Sequence, residues 1–287
     1  MRLIQSQALR HLVVTREGKD PATVPVTDEP SSEMRHLLHT DRELSWIAIE
    51  DNRPIGFSLG FVRGDLWFLS DLFVLPEAHG QGIGGALLQR CLDGGLRRGA
   101  RIRAVASSGD PGAQTLYIRA GMVPRFPLFG IKGAPRGLSD LPPDGDKITR
   151  ATSTKTWIRK LSELDASVWG RRRECDHRFW LDEPGLTCLA IVDASGQLLA
   201  YAYYASDRVG PLAARGMRLQ LSLLRAIGDA LADSGVETIE LRLPGINAVL
   251  LRALFGLGFR IDHVGLFMAS RPFGRFDRYV PSGGTLL

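Results

Sequence analysis

Long apolar runs are missing from this 287-residue chain: its hydrophobic segments are strand-length, and none approaches the ~20 residues a membrane helix requires. Cysteine is scarce. The three present, Cys91, Cys175 and Cys188, form no paired framework, which excludes a disulfide scaffold and fits a reducing cytoplasm best. No basic tract with interleaved aromatics occurs, and a net charge of +5 is too diffuse to predict nucleic-acid binding, although it would help attract a small anion. Residues 1–15 hold two arginines and the polar Gln5-Ser6-Gln7, so they lack the continuous apolar core of a signal peptide. Close-set metal ligands are equally absent. Cys175 and His177 are neighbours, but nothing else has ligand spacing, so a structural role is expected and no metal is assigned.

The 44% hydrophobic and 23% charged composition is that of an ordinary globular protein, and the length suggests about two domains. Trp46-Ile47-Ala48-Ile49 and the run from Ile55 to Phe61 flank Asp51-Asn52-Arg53-Pro54 and read as a hairpin. Strands follow at 66–69, 71–75 and 102–107, alternating with helices at 85–98 and 111–120, after a short helix near 31–38. Residues 16–30 are rich in Pro, Thr and acidic groups and are poorly read. From Gly130 to Asp146 the chain carries Pro135, Pro142 and Pro143 with several glycines and no apolar period, which predicts a linker at 131–150 between domains at 1–130 and 151–287.

The most informative stretch is 71–88, where an apolar strand runs into His79-Gly80-Gln81-Gly82-Ile83-Gly84-Gly85 and then an amphipathic helix. Glycines here allow positive φ and remove side chains, so several backbone N–H groups can converge on an anion together with the positive end of the helix. A dinucleotide fold, a P-loop and a plain tight turn all use such glycines. No Gly-Lys-Ser/Thr follows, which removes the P-loop. Gly80, Gly82 and Gly85 can be forced onto the dinucleotide spacing, but the acidic residue then required to close a second strand falls on Asp93, inside a helical run.

Downstream comes Asp110-Pro111-Gly112-Ala113-Gln114-Thr115-Leu116-Tyr117-Ile118-Arg119-Ala120-Gly121-Met122. Taken together, the two stretches resemble the cofactor-side motifs of the GNAT superfamily of N-acetyltransferases. His79, Gly82 and Gly84 match its Gln/Arg-x-x-Gly-x-Gly/Ala loop, with His79 replacing the usual Gln or Arg. Asp110, Ala113, Leu116, Tyr117, Gly121 and Met122 match its later helix, with Asp110 replacing Asn as the cap.

The resemblance implies an α/β fold with a mixed, mostly antiparallel sheet flanked by helices, and acetyl-CoA as cosubstrate. It implies a cofactor site formed by Leu72, Phe73, Val74, His79, Gly80, Gln81, Gly82, Ile83, Gly84, Gly85, Asp110, Ala113, Gln114 and Tyr117. The family admits the pantetheine arm between two splayed parallel strands, so the amide of Phe73 or Val74 is expected to polarise the acetyl oxygen. Tyr117 becomes the candidate general acid, its plainer alternative being ring packing. Asp71 is the candidate base, against a reading as a solvated strand-end carboxylate. Glu50 and Asp51 are more simply turn residues, and His39 is a substrate-side group or a helix cap.

The second half repeats the order of the first, with strands at 186–192 and 198–204, Val209-Gly210-Pro211-Leu212 before a helix at 219–232, and a strand at 238–243 before a helix opening at Asn247. Aligning Gly258 with Gly121 puts Asn247 on Asp110, Leu250 on Ala113 and Leu254 on Tyr117, so the hydroxyl is lost. Ala213-Ala214-Arg215-Gly216-Met217-Arg218 replaces the glycine turn with a single glycine. The reading is two tandem GNAT-like domains with a degenerate C-terminal copy and one working site. Tyr201, Tyr203 and Tyr204 are expected to pack on their sheet, the five tryptophans to be mainly core, and the run from Tyr279 to Gly284 to be an edge strand or tail.

Two functions remain open: an acetyl-CoA-dependent N-acetyltransferase acting on a primary amine of a small molecule, peptide or protein, or a noncatalytic acetyl-CoA-binding module whose second domain is an interaction platform. Neither nucleic acid nor membrane is expected as a partner, and a homodimer is left open.

Overall fold

The computed structural model describes residues 1, 4–7, 22, 29–142 and 145–287. Most of the 1–15 and 16–30 stretches read above, and Pro143 of the expected linker, lie outside the described residues. The chain divides into two compact units: Met1–Val123 with Met268–Arg271 and Gly284–Leu286, and Pro124–Phe267 with Pro272–Gly283 and Leu287. No helix among the described residues is long and apolar enough to cross a membrane.

In the first unit, α1 (Ser32–Thr40) begins where the Ser31 hydroxyl accepts the Met34 amide at 3.2 Å. Strands β1 (Ser45–Glu50) and β2 (Arg53–Arg63) form the expected hairpin, and its tip residues Asp51 and Asn52 have φ of 45° and 61°. Such angles suit the tight turn that matches strand twist, and Asp and Asn tolerate them. β2 is also antiparallel to β3 (Leu66–Val74), which replaces the two strands expected at 66–69 and 71–75 with one. After α2 (Ile83–Arg97) comes β4 (Ile102–Ser107), parallel to the start of β3, and then α3 (Pro111–Arg119). The outer edge of β4 is met by Ser270, whose amide donates to the Arg103 carbonyl at 2.9 Å and whose hydroxyl accepts the Arg103 amide at 3.1 Å.

The buried face of α2 packs tightly on this sheet: a Cβ on Gly60 would stand 2.8 Å from Cys91 Sγ, one on Gly95 2.3 Å from Trp67, and the Ser58 hydroxyl donates to the Leu87 carbonyl at 3.2 Å. Burial pushes the Cys91 thiol up to about 12, so it is an inert core group. Asp41, fully buried, ties α1 to the sheet through Arg63 at 2.8 Å and to α2's end through Arg98 at 2.6 Å.

The second unit has the strand order β11-β5-β10-β9-β8-β7-β6. Its elements are β5 (Val123–Gly133), β6 (Ile148–Arg150), α4 (Lys155–Val168), α5 (Glu174–Asp182), β7 (Thr187–Val192), β8 (Leu198–Tyr204), β9 (Arg208–Ala214), α6 (Met217–Leu231), β10 (Ile239–Pro244), α7 (Ala248–Gly256), β11 (Arg260–Ala269) and β12 (Tyr279–Val280). The stretch expected as a linker holds the end of β5, a 3-10 helix at Pro135–Asp140 and β6. Its glycines are packing devices. A Cβ on Gly130 would stand 1.9 Å from the His263 ring and one on Gly133 2.4 Å from the Phe259 ring, so the bare backbone lets β5 lie close to both while it pairs with β10 from Gly133↔Ile239 to Leu128↔Pro244.

Under this sheet α4 and α5 enclose a polar network. Asp165 accepts from Arg173 Nε at 2.7 Å, pairs with His177 Nε2 at 2.8 Å, and takes a short hydrogen bond from Tyr201; His177 Nδ1 lies 3.0 Å from the Tyr203 hydroxyl. Every member is at most 1% exposed, and Trp169 and Trp180 cover the guanidinium. The structure therefore gives His177, Tyr201 and Tyr203 to packing.

Two outcomes follow from this packing. Gly95→Ala improves helix propensity by up to ~1 kcal/mol, yet its Cβ would sit 2.3 Å from Cδ1 of the fully buried Trp67. Overpacking wins, and thermal unfolding should show a net loss of about 1–2 kcal/mol. For Asp165, burial alone would raise the carboxyl, but Arg173 and His177 hold it below the ordinary value. Stability from this group is then fully present above the unfolded value of ~3.9 and lost as pH falls through the lower folded value. Asp165→Asn leaves Arg173 buried without its counter-charge and should cost about 3–5 kcal/mol in denaturant unfolding at pH 7, a deficit that narrows on acidification.

Candidate active site

Strand β3 pairs with β4 only from Leu66↔Ile102 to Leu69↔Val105, although β3 continues to Val74 and β4 to Ser107. On its other edge β3 stays paired with β2 as far as Gly56↔Val74. The two parallel strands therefore part beyond Leu69, and among the described residues a gap is left along one edge of residues 70–74. A β-bulge marks the parting: Leu59 faces Asp71 while Gly60 faces Leu69, so Ser70 is the extra residue.

Hydrogen-bond alternation determines which backbone groups face the gap. The Leu75 amide donates to the Ile55 carbonyl at 2.8 Å. Two-residue alternation then commits the amides of Phe73 and Asp71 to β2 and turns those of Leu72 and Val74 away from it, into the gap. Of the two donors named from sequence, Val74 faces the gap and Phe73 faces β2. The Val74 carbonyl points the same way, and His79 Nε2 lies 3.0 Å from it.

Past Val74 the chain makes a 3-10 turn at Pro76–Ala78 and enters the glycine segment. Gly80 and Gly82 both have φ of 80°, with open space around a hypothetical Cβ, so glycine is required there by conformation. At Gly84 and Gly85 the reverse holds. Their backbone is helical, and a Cβ would meet only Leu116 and Val74 methyls at 3.7–3.8 Å, ordinary contact distance. The protein's own packing does not demand glycine at these two positions, and their absent side chains leave the first turn of α2 bare. The amides of Ile83, Gly84 and Gly85 precede the first intrahelical donor, Ala86, which bonds to the Gly82 carbonyl at 3.0 Å. Exposed Gln81 continues this surface.

The helix α3 begins at Asp110, whose carboxylate accepts the Ala113 amide at 2.7 Å; Gln114 bonds back through its side chain to the Ser108 carbonyl at 2.9 Å. Asp110, Ala113 and Gln114 thus build the helix start, and Leu116 lies against the glycine turn. Tyr117 is 6% exposed. Burial, with Asp110 and Asp71 adding, pushes its phenol well above the ordinary range, so it stays protonated. Asp71 is also 6% exposed and sits just after the bulge within β3 rather than at a strand start. Gln5, from a helical turn at residues 4–7, donates to it at 3.1 Å. Nothing in the sequence pairs Gln5 with Asp71; the fold alone brings them together. Glu50 and Asp51 belong to the hairpin tip and His39 to the last turn of α1.

Residues 12–122 match the acetyltransferase (GNAT) family. The first unit thus carries a GNAT domain. A mycothiol acetyltransferase of Kytococcus sedentarius is 26% identical over 278 residues, covering 88% of this chain and 90% of its own. Among solved structures, an acetyltransferase of Pyrococcus horikoshii superposes with a TM-score of 0.74 at 15% identity, covering 99% of this chain and 92% of its own. A tandem GNAT protein from the clavulanic acid biosynthesis pathway gives 0.56 at 17% identity, covering 94% of this chain and 96% of its own. These two likenesses are of fold.

The second unit repeats the fold of the first in matching details. In both copies the late helix is capped three residues before its first bonded amide, by Asp110 on Ala113 and by Asn247 on Leu250. Each helix ends at a glycine, Gly121 or Gly258, with φ of 80° or 85°, and the next amide returns to the carbonyl of Tyr117 or Leu254. The first turn is not repeated. β9 ends at Ala214 and α6 starts at Met217, with Gly216 extended at φ −128°. The glycine turn should therefore separate by position in stability assays: Gly82→Ala should cost about 1–2 kcal/mol for its left-handed conformation, whereas Gly84→Ala should be neutral or stabilising by up to ~1 kcal/mol. Thermal unfolding of the pair measures this directly.

Proposed function

We propose that the first unit is an acetyl-CoA-dependent N-acetyltransferase whose acceptor is a primary amine. The observation that carries this reading is the gap beside Leu72 and Val74, with two backbone donors facing it, a glycine turn at one end and a protonated buried tyrosine nearby. The residues present fit the cosubstrate. The unpaired edge of β3 suits a chain carrying amide groups, and the bare turn at Gly84 and Gly85 leaves room for phosphate against helix amides.

When bound, acetyl-CoA supplies an activated acyl group as a thioester. In this proposal Gly80, Gln81, Gly82, Ile83, Gly84 and Gly85 hold the pyrophosphate, with His79 beside them. Val74, nearer the turn, pairs with the pantetheine arm. Leu72, deeper and next to the bulge, directs its N–H at the acyl oxygen, where a fixed donor gains most as negative charge develops. Tyr117 keeps a proton on its hydroxyl for the departing sulfur. Asp110, Ala113 and Gln114 serve by starting the helix that positions it. Asp71, oriented by Gln5, accepts the amine proton directly or through water. A reducing cytoplasm is the compartment this chemistry suits.

The test is a panel of amines, mycothiol-related amines included because of the relative reported above, with thiol release as readout. Wild type should turn over at least one class. Tyr117→Phe should lower kcat about 100-fold or more while leaving acetyl-CoA affinity within about threefold, the usual span of a lost general acid. Because burial and the two carboxylates raise the phenol, no loss of kcat assignable to Tyr117 should occur below about pH 10. Gly84→Ala should weaken acetyl-CoA binding without lowering stability. Binding of acetyl-CoA without thiol release on any amine class would remove catalysis and leave a noncatalytic binding unit.

A further inference from the structure

The second unit contains the same parting of strands, and its gap is filled. β9 pairs with β10 only at Arg208↔Glu240 and Val209↔Leu241, although β9 runs on to Ala214. On the opposite edge β8 stays paired to Ala200↔Ala214, across an irregularity between Ala202 and Tyr204. The Arg215 amide donates to the Leu199 carbonyl at 2.8 Å, matching the Leu75 to Ile55 bond of the first unit. By the same alternation the Leu212 amide points away from β8. Leu212 thus stands where Leu72 stands in the first copy, with its donor aimed into the corresponding gap.

That gap holds β12. Tyr279 pairs with Ala213 and Val280 with Leu212, antiparallel, on the edge that β10 has left. Both residues are fully buried. The segment passes so close to the bulge that a Cβ on Gly210, where φ is 141°, would stand 2.2 Å from the Pro281 carbonyl oxygen. Just before the strand, Arg278 donates through Nη1 to the Arg215 carbonyl, at the point where the first copy makes its glycine turn. After it, the Tyr279 hydroxyl donates to the Leu287 carbonyl at 2.8 Å, and Arg173 donates to that same oxygen.

We infer that the cofactor cleft of the second copy is a site whose ligand is this chain's own segment 276–282, with β12 in the place of a pantetheine arm. The inference rests on reading the β3 gap as the pantetheine slot. A strand offers what that arm would offer, an N–H and a C=O to the exposed edge, and adds buried side chains that a cofactor lacks. The second copy can therefore dispense with a glycine turn.

Residue-resolved amide exchange on the full chain, with and without CoA, tests this. Leu212 should be protected to the same degree in both states, while Leu72 and Val74 gain protection only with CoA. Val280→Pro, which removes the N–H paired with the Leu212 carbonyl, should speed Leu212 exchange about tenfold, as for one lost hydrogen bond, and leave Ala213, committed to β8, unchanged. Leu212 exchange that is fast in wild type, that slows on adding CoA, or that ignores Val280→Pro would overturn the internal occupant. Protected Leu212 with no response at Leu72 and Val74 would instead overturn the cofactor reading of the first unit.

Discussion

One extra residue, Ser70, organises the first unit. A strand held on both edges has no backbone to offer a ligand, because every N–H and C=O is already paired. The bulge leaves β3 bonded to β2 while β4 departs, so Leu72 and Val74 face open space from the middle of a rigid sheet. The other features of the site are arranged around that opening. The glycine turn lies at its outer end, α3 brings Tyr117 alongside, and Asp71 follows the bulge. Donors on a strand held along its other edge by β2 are preorganised, which suits them to bind an acyl oxygen without reordering.

In the second unit the corresponding strand edge is occupied by the chain's own β12. Unpaired backbone in a buried gap is costly, and there β12 supplies the missing partners. The same unit carries the buried network of Asp165, Arg173, His177 and Tyr201, whose charges are tolerable only because each is paired. Arg173 also reaches the segment that follows β12, so the two features support one another within that unit. The edge of β3 beyond Leu69 is thus left by β4, whereas the corresponding edge of β9 is paired by β12.

Much of this fold was legible from sequence because its signals are local. Asp51-Asn52 marked the first hairpin, Asp110 and Asn247 marked helix starts, and β4 ended where its apolar run ended. The failures were non-local. Ser70 broke the alternation and made one strand look like two. Gly130 and Gly133 read as linker because their reason, the rings of His263 and Phe259, lies over a hundred residues away in the chain. α4 carried a helical spacing in Ile158, Leu161, Leu164 and Val168 that was readable, whereas the buried Asp176 and His177 disguised α5. For the site, the motifs located the glycine turn and Tyr117, but the choice between the Phe73 and Val74 amides depends on strand register, which no motif encodes.

That choice is the sharpest point of contact with experiment. Replacing the Val74 amide by an ester removes one N–H and alters no side chain, and acetyl-CoA affinity can then be measured by calorimetry. Binding should weaken about tenfold with unfolding unchanged, because this N–H faces the gap, while the same replacement at Phe73 should destabilise the fold and spare affinity. Unchanged affinity at Val74, or weakened binding at Phe73 in a protein of normal stability, would contradict these roles for the two amides.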